Sequence, residues 1–301
     1  MPERKTSLDR KAENKSLVNP VIAFIGDTHV GSPDGKGVTL SSFRNQCEKV
    51  SKKKDIDIVV LAGDIWDRNA PQIAVAEGEG YLKGIVDSGK KVILVWGNNE
   101  DRIAAKDSEF RNRLKKNGVV VLQDEDRATV VEVKDKKGHK SEIAFVVASR
   151  IVTRDEQKAV MANDDKKEQV LINRRFLSSG SPSRLDKFKS CLTSTIRRSV
   201  DENGFPKIET LPTVVMFHAP ENLSLYQEYR RYAKDRAIVD SEYFTEALTD
   251  HQQKYGNIIF GLFGHVEGGA KTYNIDVPGH PPIKYFNACS SVIDGSFSIA
   301  A

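Results

Sequence analysis

Three short apolar runs near the start of this chain each stop at a glycine followed by a carboxylate or carboxamide residue, and that recurrence restricts the fold more than any other feature. Residues 21–25 lead into Gly26-Asp27, residues 57–62 into Gly63-Asp64, and residues 91–96 into Gly97-Asn98. The runs are too short for ordinary helices, and they are β-branched and apolar without alternation, the signature of strands buried on both faces. Helical stretches near 39–52 and 72–88 separate them. Strand, helix, strand, helix, strand implies parallel pairing through right-handed crossovers. Further strands are predicted at 119–122, 129–133 and 143–148, the last two joined by a turn at 135–140. Strands at 213–217 and 258–263 flank a helix near 240–254, and the chain closes on strands at 271–276, 284–289 and 292–299. Residues 154–207 are lysine-rich, with Gly-Ser-Pro breaks at 180–182, and read as an insertion. There are no internal repeats and no low-complexity linker. The expectation is therefore one domain over residues 20–301, preceded by a mobile tail over residues 1–19.

Composition narrows the class of protein. The formal charge is +4, from 46 basic and 42 acidic residues, too small to imply a nucleic-acid partner by itself. Clusters such as Lys52-Lys53-Lys54, Arg197-Arg198 and Arg230-Arg231 read as solvated surface. No run approaches the ~20 apolar residues of a membrane span, and residues 1–19 lack the apolar core of a signal peptide. Cys47, Cys191 and Cys289 form no C-x-x-C pair, which suggests reduced thiols. These features together give the expectation of a cytoplasmic protein.

Polar residues gather where the apolar runs stop, the edge at which open α/β sheets bind ligands. The first run ends in Gly26-Asp27-Thr28-His29, the second in Gly63-Asp64-Ile65-Trp66-Asp67, and the third in Gly97-Asn98-Asn99-Glu100. Run 213–217 ends in His218, and run 258–263 ends in Gly264-His265-Val266-Glu267. A single Gly-Asp after a strand is an ordinary turn or helix cap, and a lone histidine is an ordinary structural residue. Carboxylate, amide and imidazole groups at successive strand ends form a donor set for hard or borderline divalent cations, with no thiolate. Glycines beside them let the backbone come close to such a site.

The ordered series D-x-H, G-D-x-x-D, G-N-x-[DE], a lone H and G-H-x-x resembles the calcineurin-like metallophosphoesterase family, over residues 21 to about 291 without most of 154–207. The resemblance implies an α/β fold of two stacked mixed β-sheets flanked by helices, an αββα sandwich, with a dimetal site at the strand ends. It assigns one metal to Asp27, His29, Asp64 and the Glu267 position, and the other to Asp64, Asn98, His218 and His265, with Asp64 bridging. Asp67 supports the site without coordinating. The segment from Gly264 to Gly269 and the later Phe286-Asn287-Ala288-Cys289-Ser290 look, more loosely, like the small metallophosphoesterase-domain phosphodiesterases.

Two positions depart from that pattern. Asn99 stands where the family carries a histidine that hydrogen-bonds phosphate and can protonate the leaving oxygen. An amide donates a hydrogen bond but no proton at neutral pH, and a general acid contributes about 10²–10⁴-fold. Glu267 stands where histidine is usual. It either coordinates through oxygen, the favoured reading, or, with the turn one residue shorter, points elsewhere and leaves a water in its place. As a ligand it would lower the positive charge of the centre and favour manganese or magnesium over zinc. Arg68, following Asp67, matches the phosphate-contacting arginine of related phosphatases, against the plainer reading of a surface arginine. His139, His251 and His280 read as surface residues.

The sequence thus points to a metal-dependent phosphoester hydrolase with two divalent ions, manganese favoured and magnesium, iron or zinc as alternatives. In the family, a metal-bridging hydroxide attacks phosphorus, with His29 and Asn99 beside the phosphate. A phosphodiester, a nucleotide among the candidates, is preferred over a monoester. The competing readings are a binding module that retains the fold without turnover, and a recombination-repair-type nuclease, with nucleic acid the less favoured partner.

Overall fold

The alternation of buried runs and amphipathic helices resolves into four layers. The structure, a computed structural model, describes residues 20–26, 28–33, 35, 37–123, 127–134, 140–148, 184–202, 204–217, 241–264, 272–287 and 298–300. The first sheet holds β1 (Ile22–Ile25), β2 (Ile58–Leu61), β3 (Lys91–Val95) and β4 (Val119–Leu122), parallel in that order, with β13 (Ser298–Ala300) antiparallel on the β1 edge. The second has the order β11 (Thr272–Val277), β12 (His280–Asn287), β10 (Ile258–Phe263), β9 (Thr213–Phe217), β6 (Lys140–Ala148), β5 (Thr129–Lys134). Its four inner strands are parallel, and β11 and β5 are antiparallel edges. It is a mixed pair of sheets, as the sequence implied.

Strand alternation divides the core into three. Ile22, Phe24, Ile58, Val60, Ile93 and Val95 point from the first sheet to Phe145, Val147, Val214, Met216 and Leu262 of the second, forming the sheet-to-sheet layer. The intervening Ala23, Ile25, Val59, Leu61, Val92 and Leu94 meet Phe43, Cys47 and Val50 of α1 (Leu40–Lys52), Val75, Leu82 and Ile85 of α2 (Gln72–Asp87), and further helices. On the far face of the second sheet, Val146, Val215 and Phe217 meet α5 (Arg184–Thr193) and α6 (Ser241–Tyr255) through Phe188, Leu192 and Leu248. Strands with both faces covered must be apolar at every position, which is why these runs do not alternate.

Several elements extend the sequence reading. Two short helices, α3 (Asn98–Lys106) and α4 (Phe110–Lys116), follow β3. Residues 184–210, which overlap the expected insertion, hold α5 and an antiparallel hairpin of β7 (Ile196–Val200) and β8 (Pro206–Thr210). Residues 1–19 and 154–183 lie outside the described residues. No described helix is long and apolar enough to cross a membrane.

His251 corrects an expectation. It is only 7% exposed, not on the surface. The Asn257 amide donates to the Leu211 carbonyl at 2.9 Å and to the hydroxyls of Thr195 and Thr213, which leaves its oxygen to accept from His251 Nε2 at 3.0 Å. Gln252 beside it pairs with the Ile258 backbone through both ends of its amide. The inner face of α6 is polar here because it satisfies the backbone of the turn into β10. His280, at the start of β12, is exposed as expected; His139 lies outside the described residues.

Burial holds the His251 imidazole below its ordinary pKa of 6.5, with Lys254 adding to the effect and the Asn257 hydrogen bond opposing it. A depressed folded pKa means that the unfolded chain takes up the proton first as pH falls. The contribution of His251 is therefore complete above pH 6.5 and lost as pH drops towards the folded value. The Tm is expected to fall between pH 7.5 and 5.5, less steeply in His251→Gln. Equal slopes in thermal melts of the two proteins would refute this.

Candidate metal centre

Of the three loops at the carboxyl ends of β1, β2 and β3, the first two are joined by backbone bonds before any side chain is considered. His29 N donates to the Asp64 carbonyl at 3.1 Å, Val30 N to Ile65 O at 2.8 Å, and Asp67 N to Val30 O at 3.0 Å, so the first two loops continue as a short parallel bridge. Thr28 Oγ1 adds a bond to the Ile65 carbonyl at 2.7 Å. The third loop is tied to the second by Glu100. Its carboxylate accepts from Asp64 N at 2.8 Å, Ile65 N at 2.9 Å and Gly97 N at 3.0 Å, and the residue is fully buried. Glu100 is the third residue of α3, from which a glutamate side chain reaches back to the N-cap amide. Sequence reading gave Glu100 no role; its place at the N3 position of a helix opening after Gly97 is the signal that could have found it.

Asp64, 1% exposed, has φ of 47° and His29 has φ of 46°. Among the described residues they are the only non-glycine residues in the left-handed region. Each costs of order 1 kcal/mol there, and such strain persists where surrounding bonds over-determine it, most often at functional sites. Both were expected as metal ligands from the sequence. Gly97 shows how closely the parts converge: a Cβ there would overlap Asp64 Oδ1, Asp64 N and Glu100 Oε2. Two carboxylates meet around one glycine in a buried setting, where negative charge favours a nearby cation. The described donors at Asp64 therefore fit a divalent cation.

Asn99, 4% exposed, lies between the other two loops. Its backbone N donates to Asp64 Oδ1 at 2.8 Å, and its side-chain Nδ2 lies 3.0 Å from both the Trp66 carbonyl and His29 Nδ1. The structure thus brings together His29, Asp64 and Asn99. Asn98 is placed on the first turn of α3 by its backbone. Arg68 is exposed, and its carbonyl accepts from Lys106 Nζ at 3.3 Å. Asp67 caps its own turn by accepting from Asn69 N at 2.7 Å. Asp27, His218, His265 and Glu267 lie outside the described residues. The strands leading to His218 and His265 run side by side, Phe263 opposite Phe217, with Gly264 N donating to Phe217 O at 3.3 Å. No group of three or more histidine, cysteine, aspartate or glutamate side chains forms a metal cluster among the described residues. A cleft of about 730 Å³ with Lys54, Lys90, Lys91 and Lys134 in its wall lies at the opposite, amino ends of β2 and β3, away from these loops.

A family model described as calcineurin-like phosphoesterase matches residues 20–266. Among solved structures, TT1561 of Thermus thermophilus is similar over 93% of this chain and 98% of its own, at 9% identity and a TM-score of 0.40. No curated protein matches.

The Glu100 clamp sets an expected cost. Glu100→Ala strands three buried N–H donors and should destabilise the fold by about 3 kcal/mol or more; Glu100→Gln keeps one acceptor oxygen and should cost about 1.5–3 kcal/mol. Urea unfolding of both variants checks this, and a loss below about 0.5 kcal/mol for the alanine variant would remove the clamp from the account.

Proposed function

We propose, from the premise that this chain belongs to the calcineurin-like phosphoesterase family, that it is a phosphodiesterase working with two divalent cations at the ends of β1, β2 and β3 and at His218 and His265. The observation that carries this reading is the convergence of His29, Asp64 and Asn99, with the strained backbone at Asp64 held by Glu100 and that at His29 bonded in turn to the Asp64 carbonyl. Family membership supports a metal-dependent phosphoester hydrolase in general, and the diester preference comes from the residue at position 99.

Asp27, His29, Asp64, Asn98, His218, His265 and Glu267 are the residues that would hold the cations, with manganese favoured by the oxygen-rich set. Bound there, the cations supply Lewis-acid stabilisation of phosphate charge and lower the pKa of water. The chain's own contribution is largely positional. Glu100 fixes the backbone on either side of Asp64, so the carboxylate is oriented before substrate arrives. Asn99 offers no proton to a leaving oxygen at neutral pH. The reaction is therefore limited to esters whose leaving group departs without protonation, which favours activated diesters over alkyl monoesters. Arg68, exposed next to the Asp67 turn, would meet an anionic substrate from solvent on this reading.

Turnover of bis(p-nitrophenyl) phosphate with manganese tests this directly. The protein should hydrolyse it, and Asp64→Asn should lower kcat/KM by at least about 10²-fold. Asn99→His should raise the rate on esters with poor leaving groups by about 10²-fold, with less effect on p-nitrophenyl diesters. Absence of turnover with manganese, magnesium, iron and zinc alike, unchanged by Asp64→Asn, would leave a binding module on this fold.

A further inference from the structure

The contact between Asn99 and His29 has a consequence for metal binding that rests on the proposed dimetal reading. Asn99 Nδ2 faces the Trp66 carbonyl at 3.0 Å. A carbonyl oxygen only accepts, so the nitrogen end of the amide must point there; turned end for end, two oxygens would meet. His29 Nδ1 lies 3.0 Å from the same nitrogen, within reach of the second hydrogen of that NH2 group. A donor facing Nδ1 requires a lone pair on Nδ1, and a neutral imidazole with its lone pair there carries its hydrogen on Nε2. In this tautomer neither ring nitrogen has a lone pair to offer a cation. Ligation through Nε2 would move the hydrogen to Nδ1 and set it against the Asn99 donor. Metal-bound histidines have the reverse arrangement, with the distal N–H donating to a carbonyl or carboxylate. Swinging the Asn99 amide aside would also break its bond to the Trp66 carbonyl.

We infer that Asn99 is a positioning residue that competes with a divalent cation for His29, so that the centre binds its two ions with unequal affinity. The ion that does not need His29 binds first. The ion that needs His29 binds only when the Asn99–His29 hydrogen bond breaks. At limiting metal the protein is a one-ion species.

The test uses the metal-stripped full chain at one fixed pH, with manganese titrated by calorimetry and, in a separate diamagnetic arm, zinc followed by ¹⁵N spectra of the histidine rings. The wild type should bind in two steps separated by at least about tenfold, the scale at which hydrogen-bond partners of ligands alter metal affinity. The His29 ring in the metal-free protein should show the Nε2–H pattern. Asn99→Ala removes the opposing donor and should tighten the second step about tenfold while leaving the first unchanged. Asn99→Asp, which presents an acceptor to Nδ1–H, should shift the ring to the Nδ1–H form and tighten the second step at least as much. A purely structural role for Asn99 would move neither the tautomer nor the spacing of the steps. Two equal steps in the wild type, or an Nδ1–H ring in the metal-free protein, overturns the inference and leaves the phosphoesterase reading standing. Binding of no ion by either the wild type or Asp64→Asn overturns both. Should Asn99→Ala fail to fold, the wild-type ring spectrum and Asn99→Asp still decide.

Discussion

The Glu100 carboxylate is the constraint on which the rest of the site depends. Strands β1, β2 and β3 are fixed by ladders and by burial on two faces, and the first two loops continue that pairing through the Val30–Trp66 bridge, but the third loop is tied to the second by a side chain. A single buried anion collects the amides of Asp64 and Ile65 from one loop and Gly97 from the next. Hydrogen bonds to a charged acceptor are the stronger kind, and three of them offset the left-handed backbone at Asp64. Because His29 N is bonded in turn to the Asp64 carbonyl, the same anion sets the first loop at second hand. The site is a chain of three loops with one anchor.

That arrangement explains which parts of the molecule were legible in the sequence. Residues 119–122, 213–217 and 258–263 are observed strands with the expected bounds: each is apolar nearly throughout, 213–217 because both its faces are covered, and 258–263 although Ile259 is exposed. The α3 and α4 helices were not read, since α3 is short and largely polar and α4 buries little beyond Phe110 and Leu114. The β7–β8 hairpin escaped for a related reason: nearly every residue in it is exposed, so no burial period is imposed on its composition. The strand β12 begins earlier than expected, at His280, and includes Pro281 and Pro282. Proline is excluded from central strands, but pairing with β10 starts only at Tyr285, so the prolines lie on an overhang that has β11 alone as neighbour.

The site divides along similar lines. His29, Asp64 and Asn99 were singled out by their residue types and spacing after the strand ends, and the structure draws them together. Glu100 was given no role, since the main-chain amides it binds leave no mark on sequence beyond a glutamate at the third position of a helix. His251 was misread for the complementary reason: a histidine among Asp250, Gln252 and Gln253 looks solvated until Asn257 folds back on it.

The chemistry of position 99 follows from a difference between an amide and an imidazole. An imidazole exchanges its donor and acceptor ends by moving one proton, so it can adapt to whatever faces it. An amide has a fixed donor end and a fixed acceptor end and can only rotate. Here rotation is opposed by the Trp66 carbonyl, which belongs to the same loop as Asp64. Asp64, through its hydrogen bond from Asn99 N, and Trp66, through its bond from Asn99 Nδ2, therefore hold both ends of one residue against one loop. Any shift of that loop would therefore change the donor presented to His29. On the proposed reading, the departure at position 99 would act on the state of His29 as well as removing an acid, and the two effects would be separable because one would be felt at the leaving group and the other at the cation.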